Sequence, residues 1–236
     1  MNNTLVKSGS IWLVLAVLSG LTLLSCNETK EVGPGTVGYD FYPIKVGQYR
    51  IYEMEEIRYR IAGFDTSIYQ LRETIFDSIR SQDQVTYLLR RDIRTNTEEE
   101  WESDSVWSLN RGISFLSITE NNIPFIKLTF PVSAGNEWDG NGLNSKDERI
   151  YTYQEVAEGL VDSVAASDHI RVIIEDIAPN VTGVDQRSEV YARGIGLVEK
   201  DYLTQENCTA SNCGADLGKV IGGRALKQTL ITIGNE

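Results

Sequence analysis

From Gln48 onward the chain alternates apolar and polar residues with a period of two, in one segment after another, with almost no stretch at helical spacing. Val85, Tyr87, Leu89 and Ile93 fall on one side of such a segment, and Thr86, Arg90, Asp92 and Arg94 on the other. Successive strand residues point to opposite faces, so this pattern predicts a strand with one side toward a core and one toward water. Similar runs cover Tyr49–Ile61, Ser67–Arg80, Glu98–Leu109, Ile113–Thr119, Pro124–Phe130, Arg149–Ala157, His169–Ile177, Ser188–Ala192, Gly196–Thr204 and Lys219–Ile233. They are rich in Tyr, Ile, Val, Thr and Trp, which suit a pleated, half-buried surface. Turn signals such as Ala62-Gly63, Asn110-Arg111-Gly112 and Asn121-Asn122 separate them.

Strands in this order predict an antiparallel meander, and a sheet of ten or so strands cannot stay flat. The expected fold is all-β, a single curved antiparallel sheet forming a half-barrel or open barrel, with a two-sheet sandwich as the alternative. Only Glu155–Ala166 offers helical spacing, so at most one short helix is expected. About 200 residues follow position 38, enough for one all-β domain over 39–236 with a proper core.

The start of the chain has a different character. Lys7 precedes a stretch from Ile11 to Leu24 that is apolar apart from Ser19, Gly20 and Thr22, and small Ser25 then precedes Cys26. Charge, apolar run and small residue are the three parts of a secretory signal. The run is shorter than the roughly 20 residues of a membrane span, and it ends at a thiol rather than a charged cluster. Leu23-Leu24-Ser25-Cys26 resembles the lipobox of bacterial lipoproteins. That resemblance implies cleavage of residues 1–25 and acylation of Cys26 by fatty chains of the palmitate class. At about 0.8 kcal/mol per buried methylene, two or more chains anchor a protein firmly. Residues 26–38 then read as the acylated Cys and a tether of charged and small residues, spanning roughly 20 Å. Glu28, Lys30 and Glu31 resemble the charged stretch that follows the acylated Cys in Bacteroidetes-type surface lipoproteins. The implied location is the cell envelope, lipid-anchored at the outer membrane, facing either side.

The full chain of 236 residues carries 22 basic and 34 acidic residues, and loss of Lys7 with the signal leaves a net charge of −13. Basic residues lie interspersed with acids, as where Arg58 and Arg60 follow Glu55 and Glu56. Phosphate-backbone binding needs a basic patch, so nucleic acid is not an expected partner. With Cys26 committed to lipid, Cys208 and Cys213 are the other thiols, and an exported chain oxidises them. A disulfide between them closes a short loop and stabilises by about 2 kcal/mol. Zinc would need two further ligands, and the chain has one histidine, His169. No metal and no cofactor is expected.

Three patterns stand out in the domain: Tyr42-Pro43-Ile44-Lys45-Val46-Gly47-Gln48-Tyr49 with Tyr52; Phe130-Pro131-Val132 followed by Gly135-Asn136-Glu137-Trp138-Asp139-Gly140; and Tyr191-Ala192-Arg193-Gly194-Ile195-Gly196-Leu197-Val198. Together they resemble a group of Bacteroidetes-type envelope lipoproteins of unassigned function, related to the lipoprotein-carrier half-barrel. The resemblance implies a concave sheet face that accepts acyl chains, and it carries over no catalytic residue. Read physically, the glycines permit turns, bulges and close backbone approach, and Trp138 and Tyr191 supply large apolar contacts.

Other motifs lead away from catalysis. Asp139-Gly140-Asn141-Gly142-Leu143-Asn144 resembles a calcium loop, but Leu143 stands where an oxygen ligand is needed and Glu148 misses the closing position. Gly194-Ile195-Gly196 has no helix after it to present an N-terminus to phosphate, which leaves a sheet bulge. Asp168 and His169, adjacent on a strand, point to opposite faces, and no G-x-S-x-G marks a nucleophile. The expectation is therefore a non-enzymatic envelope protein whose concave face binds an apolar ligand, or which serves an envelope protein partner. A module with a filled core is the alternative, and an acid-based polysaccharide hydrolase ranks below both.

Overall fold

Alternation becomes twelve strands in one antiparallel sheet. The computed structural model describes residues 34–82, 84–156, 168–209, 213 and 216–236. Cys26 and residues 27–33, like all but the first two residues of the Glu155–Ala166 stretch, lie outside them. The compact unit begins at Pro34, inside the stretch read as a tether, with a helical turn α1 (Pro34–Val37) and a 3-10 turn at Tyr39–Phe41. The strands are β1 (Gln48–Arg60), β2 (Gly63–Arg80), β3 (Val85–Arg94), β4 (Glu102–Arg111), β5 (Phe115–Glu120) and β6 (Ile123–Thr129). After these come β7 (Glu137–Asp139), β8 (Ile150–Glu155), β9 (His169–Ile177), β10 (Gly183–Ala192), β11 (Gly196–Asn207) and β12 (Val220–Asn235).

The sheet order is β6-β5-β4-β3-β2-β1-β12-β11-β10-β9-β8-β7, so each strand pairs with its chain neighbour and β12 returns to β1. β6 and β7 alone are chain neighbours without a ladder, which makes the sheet a nearly closed barrel with an unsealed seam. The single-sheet expectation holds, and the sandwich alternative does not. Three-residue β7 sits inside a motif read as a turn, because it is too short to show alternation. β10 begins at Gly183, five residues before the expected Ser188, because Asp185, Gln186 and Arg187 give that half of the strand no apolar face.

Single hydrogen bonds, from side chains and from one backbone amide, stitch the seam where the ladder fails. Trp138 Nε1 donates to the Ile126 carbonyl at 3.0 Å, and the Ile126 amide donates to the Gly140 carbonyl at 2.9 Å. The Tyr153 hydroxyl accepts from the Thr129 amide and donates to the Thr129 carbonyl, both at 2.9 Å. Gly140 has no room for a Cβ, which would overlap the Tyr151 ring. The motif from Phe130 to Gly140 is thus the crossing of the gap, an architectural role.

A second fastening closes the end of the barrel where β1 starts. Arg50 is fully buried and donates from Nε to the Ile195 carbonyl at 2.7 Å and from Nη2 to the Pro43 carbonyl at 3.0 Å. Its guanidinium also stacks 4.7 Å from the Tyr42 ring centroid. One arginine therefore clamps the first and third motifs together, and a Cβ on Gly196 would strike it. Gly194-Ile195-Gly196 forms the β10–β11 turn, with the bulge falling beside it at Val190/Tyr191 instead of on the glycines. Phe41 and Tyr42 plug this end and join Ile75, Leu89, Leu109, Leu128 and Tyr191 in the main core.

Candidate functional site

The other half of the lumen is open. Interior side chains of β1, β2, β3, β4, β11 and β12 surround a cavity of about 1140 Å³, a little above the roughly 300–1,000 Å³ of most small-molecule sites. Met54, Leu71, Ile93 and Leu226 form its apolar patches, Tyr69, Trp107 and Tyr202 its aromatic ones. Six carboxylates and five cations also line it, so the wholly apolar concavity expected from sequence is not what the fold builds. The physical reason is local: the β1–β2 hairpin and its neighbours run past the core, and their inward faces carry Glu56, Arg58 and Arg91 where apolar residues would otherwise sit.

Most of these charges are already spent on each other. Glu56 accepts from Arg58 at 2.5 Å and from Arg224 at 2.9 Å. Arg91 pairs with Glu73 at 3.1 Å and Asp104 at 3.6 Å, and its guanidinium lies 3.8 Å from the Trp107 ring centroid. Asp104 is the extra residue of a bulge in β4, opposite Arg91 and Asp92. Such a bulge re-aims a side chain, here toward the lumen.

A buried charge cluster forms the floor between cavity and core. Lys127 is the extra residue of a bulge in β6, and its Nζ reaches Glu189 at 2.7 Å and Glu120 at 2.9 Å. Glu189, 1 % exposed, also accepts from the Tyr202 and Tyr191 hydroxyls, both at 2.5 Å, and lies 3.4 Å from Lys200. Burial by itself would raise the Glu189 carboxyl, but Lys127, Lys200 and Tyr191 hold it well below the ordinary carboxylate range. Burial works against the Lys127 ammonium too, and Glu120 and Glu189 outweigh it, leaving Lys127 well above its usual value. Burial, then the Glu189 charge, pushes both tyrosine hydroxyls up, so they stay donors.

Two donors of cavity-lining residues have no partner among the described residues. Gln228 is 2 % exposed and its Nε2 makes no hydrogen bond; the buried Nε1 of Trp107 makes none either. Unsatisfied buried polar groups are rare, and each calls for a water or a ligand.

The residues singled out in the sequence sit elsewhere. Cys208 and Cys213 form a disulfide with Cα atoms 6.3 Å apart, beyond the end of β11. Asp139 Oδ1 accepts from the Asn141 and Arg149 amides at 2.9 and 3.0 Å, which makes its loop the β7–β8 connection. No group of three potential metal ligands occurs among the described residues. Asp168 accepts from Arg193 at 2.8 Å, and His169 opens β9. The cavity residues Arg91, Trp107, Lys200 and Gln228 were not singled out, because a lone charge or amide inside an alternating strand looks like a solvated face and a tryptophan looks like core. The one legible signal was Lys127 interrupting the apolar run from Ile123 to Leu128.

No family model matches the chain, and no curated protein does. Among solved structures, a candidate exported protein with a YmcC-like fold from Bacteroides fragilis NCTC 9343 is similar at 11 % identity and a TM-score of 0.42, over 83 % of this chain and 99 % of that one. Nothing functional follows from a likeness of this depth.

Proposed function

We propose that the protein is a non-enzymatic envelope lipoprotein, anchored at the outer membrane through acylated Cys26, that binds a small polar or amphipathic ligand in the open half of its barrel. The cavity of about 1140 Å³ carries this reading, since a filled module would continue its core through the lumen. The mixed lining supports a ligand with hydrogen-bonding groups over a bare acyl chain. Protonation supports binding over hydrolysis. A glycosidase-type acid needs a carboxyl raised toward neutrality. Burial would raise Glu120, but Lys127 and Lys200 outweigh it, and Glu56 is likewise lowered against burial by Arg58 and Arg224. Glu99 at the rim is lowered by hydrogen bonds from Thr95.

The test is native mass spectrometry of the full chain purified from a Gram-negative envelope, with extraction and identification of what co-purifies. A bound small molecule lost on Leu71→Glu is the expected result, together with a fatty-acylated N-terminus that disappears in Cys26→Ala. A ligand-free protein under all extraction conditions overturns the binding reading, and an unacylated mature chain overturns the anchor.

A further inference from the structure

Resting on the reading of the cavity as a binding site, we propose that its deep end receives an uncharged, hydroxyl-rich group, the chemistry of a neutral saccharide. The first ground is the pair of unspent donors. Gln228 Nε2 and Trp107 Nε1 belong to residues that line the cavity, are buried, and find no acceptor among the described residues, and leaving such groups unpaired is costly. An acyl chain brings no acceptor and would seal that cost in; a ligand oxygen removes it.

Charge decides between a neutral oxygen and an anion. An anion at this depth would need a surplus cation. Lys200 is shared with Glu189, Arg91 with Glu73 and Asp104, and both Arg58 and Arg224 with Glu56. Arg94, bonded to Gln70 and the Thr97 carbonyl, is the one lining cation without a carboxylate among the described residues, and the lining as a whole has one more carboxylate than cations. A carboxylate or phosphate would therefore lose its hydration without gaining net attraction. A hydroxyl group both donates and accepts. It can accept from Gln228 or Trp107 and donate to the Glu120 carboxylate, which lines the same space.

Shape and surface agree with this class. Tyr69 and Tyr202, with the face of Trp107 that Arg91 leaves uncovered, give flat apolar surfaces among polar groups, as a pyranose needs for its C–H side and its hydroxyl edge. Such a site needs no charge on the ligand, and its affinity would vary little with salt.

The experiment is binding of the full chain, held in a sugar-free zwitterionic detergent, to three probe sets: neutral gluco-, manno- and N-acetylglucosamine oligosaccharides, uronate-containing oligosaccharides, and palmitate. Neutral oligosaccharides are expected to bind, with affinity level between low and high salt. Trp107→Phe and Gln228→Met each remove one donor and are expected to weaken binding about tenfold. The Trp107 indole N–H resonance in the unaltered chain should shift on titration with the neutral probe, which reads the same contact even where a variant misfolds. Binding of uronates or palmitate alone overturns the saccharide class and leaves the cavity a binding site. Neutral binding with no shift of that resonance and no effect of either substitution overturns the assignment to the deep end. Failure of all three sets, with ordered water on both donors in a crystal, overturns both this inference and the reading it rests on.

Discussion

Lys127 and Glu189 lie 62 residues apart in the chain and meet at 2.7 Å in the barrel interior. Taking Glu189 away leaves Lys127 buried with Glu120 as its one remaining carboxylate among the described residues, which costs about 3 kcal/mol, the low end for breaking a buried pair. Glu189→Gln is therefore expected to lower the unfolding free energy measured by urea titration at neutral pH by that amount. The pH dependence has a definite sign. Glu189, Glu120 and Glu56 all have carboxyls lowered by folding, against burial and through their neighbouring cations. Their stabilisation is complete above the unfolded carboxyl value, about 4.3, and is lost as pH falls through the folded values. Equilibrium unfolding should show a level midpoint above about pH 5 and a decline below it, with a shallower decline in Glu189→Gln.

At the scale of the element, the seam is where the sheet is weakest. β6 and β7 share no ladder, and Tyr153 of β8 supplies two of the hydrogen bonds that reach across the gap to β6. Tyr153→Phe keeps the ring in the core beside Trp138, whose centroid lies 4.5 Å away, and removes only the hydroxyl. The Thr129 amide then loses its acceptor. A destabilisation of about 1–3 kcal/mol is expected. Hydrogen exchange should rise first at Thr129 and its β6 neighbours, and a uniform rise across all strands would contradict the seam's independence. Alternation could not reveal this seam, since it reports which face a residue takes and says nothing about which neighbouring strands fail to pair.

Over the whole molecule, closure depends on the last strand finding the first. β12 pairs with β1 along nearly its whole length, from Gly222 opposite Arg60 to Asn235 opposite Gln48, and with β11 on its other side. Removing residues 220–236 takes the middle strand of three and exposes two long edges, which invite aggregation. The truncated chain is expected to show no cooperative thermal transition, whereas a stable melt within a few degrees of the full chain would show that the β1–β6 and β7–β11 halves hold together without it.

How much of this was legible depends on the distance over which the physics acts. Alternation, turn residues and length are local, and they determined an all-β meander, too wide to stay flat, because strand periodicity and sheet twist act within one segment and its neighbour. The pattern at Cys26 is local as well, and so is the short loop between Cys208 and Cys213. The tertiary structure alone decided that the barrel fails to seal between β6 and β7, that Arg50 clamps its closed end, and that the lumen is half core and half polar cavity. Each of those rests on side chains from distant strands meeting in one dielectric interior. There, a bulge at Lys127 or Asp104 turns one charge inward, and its value depends on partners the local sequence does not name.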